Sequence, residues 1–261
     1  MTTFPDWPKQ ILTRQLIRYL TSPARDYHAF AVSAPEVLRE ILKPADVLLV
    51  EGNQHFSTAV KYLTQSTWSH AAMFVGDLTP GKSDDGEPLA LIEADLKVGV
   101  AAAPLSKYRG FNTRICRPVG LSGQDCKKVA KFMVDSLGLQ YDLKNIIDLA
   151  RYLLPTPPVP VRWRRRMLAF GSGDPTRVIC SGRIAQAFQS VGYPILPEIE
   201  KLPEAGDEKA RYTVKEVLHI RHYSLFTPRD FDLSPYFAVV KPTIERGFDY
   251  RQLAWSGEVG E

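Results

Sequence analysis

Ser66-Thr67-Trp68-Ser69-His70-Ala71-Ala72-Met73-Phe74-Val75-Gly76-Asp77 is the stretch on which the reading of this chain turns. Residues 69–75 form a short apolar run closed by the turn pair Gly76-Asp77, the pattern of a buried strand. A lone histidine opens the run. A strand fixes the face to which an imidazole points, which suits a general base. A hydrogen-bonded core histidine has the same local pattern.

Working outward, residues 46–50 read as a second buried strand, followed by the turn Glu51-Gly52-Asn53 and helical spacing over 56–63. Downstream, residues 79–87 are a loop rich in Gly, Pro, Ser and Asp. Strands follow at 89–94, 98–102 and 113–117. Short sequential strands joined by turns predict an antiparallel sheet. Residues 124–137 then place Val129, Phe132, Met133 and Leu137 on one helical face, closed by Gly138. A helix over 143–154 ends at Pro155, and the prolines of 155–160 exclude helix. Residues 8–21 and 34–41 carry helical spacing near the N-terminus. Residues 201–261 are less regular.

The second anchor is Val178-Ile179-Cys180-Ser181-Gly182, where an apolar stretch turns into helical spacing over 180–191. A cysteine at a helix N-terminus sits where partial positive charge favours a thiolate. The backbone N–H groups there can also donate to a developing oxyanion. Ser181-Gly182 lets the backbone approach a substrate closely. The alternative is a buried structural cysteine. An imidazole base needs an orienting acid, and Glu93 closes the strand Leu91-Ile92-Glu93 where it can meet His70 if the two strands pair. A solvated strand-end acid is the competing reading, and His55 is the reserve base. His70, Glu93 and Cys180 are also a rival zinc set, but no Cys-x-x-Cys or His-Glu-x-x-His spacing supports it.

The chain has 261 residues, 44% hydrophobic and 24% charged, enough for one good core with elaborations. Its net charge of +4 is too small to name a partner. Arg162-Trp163-Arg164-Arg165-Arg166 is the one basic run, and without interleaved aromatics it does not point to nucleic acid. Gly171-Ser172-Gly173 lacks the spacing of a phosphate loop, so no cofactor is expected. Three cysteines make no disulfide framework. Neither a signal-peptide core nor an 18-residue apolar window is present, so the expectation is a cytoplasmic protein without a membrane span. The basic helix at 8–21 fits packing on the domain, or attachment to a membrane surface.

These segments together resemble a known group. Ala45-Asp46-Val47-Leu48-Leu49, the stretch 66–77, Leu91-Ile92-Glu93-Ala94, Gly138-Leu139-Gln140-Tyr141-Asp142 and Ile179-Cys180-Ser181-Gly182 are similar to the circularly permuted NlpC/P60 proteins. The branch they resemble is that of the YaeF/YiiX-like papain-like amidases. The resemblance covers roughly residues 44–192 and departs from the family at Ala45, where glycine is frequent. It implies an α+β papain-like fold, a barrel-like antiparallel sheet with packed helices. It also implies Cys180 as nucleophile, His70 as base and Glu93 as orienter, with Tyr141, Ser69 and Ser181 lining the substrate site.

The division that follows is an N-terminal helical extension (1–43), a catalytic domain (44–200) and a C-terminal extension packed on it (201–261). The expected activity is that of a cysteine hydrolase cleaving an amide in a peptide or peptidoglycan-like fragment. A lipid-directed thioesterase or acyltransferase, and a non-catalytic binding module, are the alternatives.

Overall fold

A computed structural model describes residues 15, 18–23, 27–30, 32–79, 81–95, 98–139, 180–203, 214–219 and 221–252. The helix over 143–154, the proline stretch, the arginine run, Gly171-Ser172-Gly173, Tyr141 and most of the 8–21 segment lie outside these residues.

The strand predicted at 69–75 is β2, His70–Phe74. β1 is Val47–Val50, β3 Leu91–Asp95, β4 Gly99–Ala103 and β5 Thr113–Pro118. β1 and β2 are almost wholly buried because both faces of the sheet are covered. On one face, Val47, Ala71, Met73, Ile92 and Cys116 pack with two helices, α3 (Gly123–Val134) and α4 (Cys180–Gln189). On the other, Leu48, Ala72, Phe74, Leu91 and Ile115 meet α1 (Pro35–Ile41) and the short 3-10 helix Leu105–Tyr108. α2, His55–Thr64, joins β1 to β2.

β6 (Glu198–Pro203) and β7 (Val214–His219) form a separate two-stranded sheet. The segment read as irregular then supplies α5 (Pro228–Leu233), β8 (Phe237–Val240) and α6 (Pro242–Glu245). α5 starts with a capping box between Thr227 and Asp230 and a proline in its first turn, both helix-start signals. β8 pairs with β5, so the main sheet has six antiparallel strands in the order β4-β3-β2-β1-β5-β8.

This sheet is open, which corrects the expected barrel. Closure would require β4 to pair with β8. Instead Val100 on β4 donates to the Leu139 carbonyl, and its own carbonyl accepts from Gly138. The chain leaving α3 thus occupies the outer edge that closure needs. The sheet also runs past residue 200, since its edge strand β8 comes from the C-terminal segment. Nor does residue 43 mark a structural break, because α1 covers the sheet.

Candidate active site

β2 and β3 are antiparallel neighbours with Ala72 opposite Glu93. Side chains alternate across a strand, so His70, Ala72 and Glu93 share one face and His70 lies diagonal to Glu93. The His70 Nε2–Glu93 Oε2 distance is 2.7 Å. The strand pairing on which the orienter reading depended is therefore present. The acid differs from the expected alternative of a solvated strand end, because Glu93 is only 2% exposed.

Two further groups grip the same carboxylate. Lys107 donates to Oε1, and the Tyr108 hydroxyl donates to Oε2. Tyr108 also lies against the His70 ring, with centroids 5.9 Å apart. Burial pushes the Glu93 carboxyl up, but the hydrogen bond and charge of His70 together with Lys107 outweigh it and bring the group down to about 2. Glu93 is therefore an acceptor at neutral pH. Nε2 must carry the proton it accepts, which leaves Nδ1 as the basic nitrogen of a neutral imidazole.

Lys107 and Tyr108 were missed in the sequence. They belong to a four-residue 3-10 turn with no periodicity to announce it. Only a lysine and a tyrosine shortly after an acidic strand end hinted at them.

A cleft of about 130 Å³ opens beside His70. Gly52, Gln54, Ser57, Ser69, Lys107 and Tyr108 are among the residues that line it. The N-terminal segment reaches this cleft: Thr21 lines it, the Ser22 carbonyl accepts from His55 N–H, and Tyr19 stacks on His55 at 4.6 Å. His55, the reserve base, is engaged in that stack and does not line the cleft. Ser69 is buried with its oxygen accepting from Gly52 N–H at 2.9 Å, and it does line the cleft.

Ser181 is placed elsewhere. It is fully buried and donates to the Phe226 carbonyl at 2.7 Å, tying α4 to the segment before α5. It does not line the cleft, and that bond takes the hydroxyl expected to meet substrate.

Cys180 is the first described residue of α4, and the stretch read as leading into it lies outside the described residues. The side chain of Cys180 lies outside them as well. The start of α4 is tied to the chain that leaves α3. Arg183 near that start bonds Ser136 at 2.8 Å. Three residues on, Leu139 bonds Val100, which is opposite Ala94 on β3. The body of α4 covers the face of Ala71 and Met73, opposite to the face of Ala72 and Glu93.

Comparison with known proteins was made on this geometry. No family model matches the sequence, and no curated protein does. The chain is similar to a solved structure, the metalloprotein YiiX from Escherichia coli O157:H7. Sequence identity is 17%, the match covers 76% of this chain and 96% of that one, and the TM-score is 0.44. A likeness at that level assigns neither a site nor an activity.

Proposed function

We propose that this chain is a cysteine hydrolase that cleaves an amide bond in a peptide or peptidoglycan-like fragment through an acyl-thioester. The observation that carries the reading is the buried, ionised Glu93 bonded to His70 at the edge of an open cleft. A carboxylate so placed stabilises an imidazolium, and an imidazolium stabilises a neighbouring thiolate.

In this reading the Cys180 thiolate attacks the carbonyl carbon, and the His70 imidazolium protonates the departing amine. The C–N bond breaks and an acyl-thioester remains. Neutral His70 then takes a proton from water, whose oxygen attacks the thioester carbon. The acid leaves as the C–S bond breaks, and the thiolate–imidazolium pair is restored. Glu93 keeps the ring oriented throughout, while the first backbone N–H groups of α4 are the nearest oxyanion donors in sequence to Cys180.

The test is the iodoacetamide labelling rate of each cysteine between pH 4 and 9, in wild type and His70→Ala. Selective labelling of Cys180 well below pH 8, lost in His70→Ala, is the expected result. Labelling of Cys180 no faster than that of Cys116 or Cys126 overturns the reading. Cys116 is an internal standard, because burial raises its thiol pKa far above the usual range. His70, Glu93 and Cys180 are also the rival zinc set, so a parallel series contains a chelator. A labelling rate that changes on chelation would favour the zinc set of His70, Glu93 and Cys180.

A further inference from the structure

Buried hydroxyls in this protein donate to backbone carbonyls almost as a habit. Thr64 bonds the Val60 carbonyl, Ser136 that of Phe132, and Ser181 that of Phe226. Ser57 departs from it. The residue is only 6% exposed, yet its hydroxyl makes no hydrogen bond among the described residues, and it lines the cleft beside His70. The Ser57 oxygen keeps contact with the solvent of the cleft, so a ligand there can reach it.

Gly52 shows where its oxygen points. A Cβ on Gly52 would lie 2.2 Å from Ser57 Oγ and 3.0 Å from Ser69 Oγ. The glycine is required by space, and its absence of a side chain leaves both hydroxyls converging on one spot in the cleft. Ser69 accepts from Gly52 N–H, so its own hydrogen remains to be donated. Ser57 also belongs to the first turn of α2, a helix of 10 residues whose N-cap, Gln54, makes no side-chain cap. First-turn amides lack intrahelical acceptors and favour negative charge. His55 N–H is taken by the Ser22 carbonyl, which leaves the end of the helix at Phe56 and Ser57 facing the same cleft.

The charged groups on the cleft are His70, Lys107 and Asp95. Lys107 contacts Glu93 and lies 3.8 Å from Asp95. Each of these acids thus has a cation beside it, while Ser57 and Ser69 each keep a hydroxyl hydrogen to donate.

We propose that Gly52, Ser57 and Ser69 form a carboxylate-binding subsite, which takes the acid released from the acyl half of the substrate. The second clause rests on the hydrolase reading, whereas carboxylate binding itself does not. Two hydroxyl donors and a helix N-terminus match the oxygens of a carboxylate. The partnering of Glu93 and Asp95 with Lys107 limits their repulsion of a bound carboxylate.

The probes are acetate and its neutral isostere acetamide, titrated into the full chain and followed by amide NMR. Saturable shifts at Gly52, Phe56 and Ser57 with acetate, and about tenfold weaker binding of acetamide, are expected. Ser57→Ala should weaken acetate by a similar factor, while Cys180→Ala should bind it as wild type does. Equal binding of both probes, shifts confined to other residues, or an unaffected Ser57→Ala protein overturns the proposal. If Ser57→Ala does not fold, the location of the wild-type shifts and the acetate-to-acetamide ratio decide alone. Acetate bound at Ser57 with an unreactive Cys180 would sink the hydrolase reading and leave the subsite standing. A reactive Cys180 with no acetate binding would do the reverse.

Discussion

A carboxylate with almost no solvent contact stays charged only when its oxygens are matched. Glu93 is matched by His70, Lys107 and Tyr108. The balance brings it from 4.5 down to about 2. The unfolded chain therefore holds this proton more tightly than the folded one. The contribution is present above pH 4.5 and is lost as pH falls through about 2. At one pKa unit per 1.36 kcal/mol it amounts to about 3 kcal/mol at neutral pH. Urea unfolding between pH 2 and 7 should show wild type losing stability across that window more steeply than Glu93→Gln. Equal slopes would mean that the carboxylate is not held in the native state. At this scale the sequence exposed His70, which opens β2, and Glu93, the acid that interrupts the apolar run of β3 and has Ala94 and Asp95 beyond it in the strand rather than closing it. It hid Lys107 and Tyr108, whose only link to Glu93 is a chain reversal that β4 makes.

Among the described residues strands and helices were legible wherever their period was, and their ends moved by up to three residues. β8 was not legible, since four residues with two exposed show no burial pattern of their own. Only pairing with β5 makes Phe237–Val240 a strand. What locks neighbouring elements together is equally non-local. Asp46, just before β1, is 1% exposed and receives Arg117 of β5 through Nε at 2.9 Å and Nη2 at 2.7 Å. Lys43 N–H also donates to it, and Arg117 reaches the Ile41 carbonyl at the end of α1. Burial pushes the Asp46 carboxyl above its usual range, though Arg117 opposes this. Removing one partner of such a pair strands the other. Arg117→Ala should cost roughly 3–5 kcal/mol in urea unfolding. Lys131→Ala, which breaks an exposed pair with Asp135 on α3, should cost under about 1 kcal/mol. Comparable losses in the two variants would contradict the assigned burial.

Among the described residues the six-stranded sheet is covered on both faces, and the C-terminal segment is part of the core. Phe188 of α4 packs on Phe237 at 5.1 Å and on Phe231 at 6.4 Å between ring centroids. Phe226, Phe231 and Phe237 are all buried. Losing a buried phenylalanine costs roughly 3–5 kcal/mol, against a total stability of about 5–15 kcal/mol. A chain ending at residue 200 should therefore lose its near-ultraviolet circular dichroism and its cooperative unfolding transition. A truncated chain that kept both would show that residues 1–200 fold without the C-terminal segment.

The sequence by itself determined the elements around the site, the order His70, Glu93, Cys180, and the place of the first two on strands and of the third on a helix. Those features follow from local periodicity and turn chemistry, which any short window carries. The tertiary structure alone decided that the sheet stays open, that β8 completes it, that Ser181 turns into the core, and that Lys107 and Tyr108 hold Glu93. These depend on which distant segments occupy a strand edge or a buried oxygen. Packing and hydrogen-bond satisfaction over the whole chain select among such partners, and no local pattern encodes the choice.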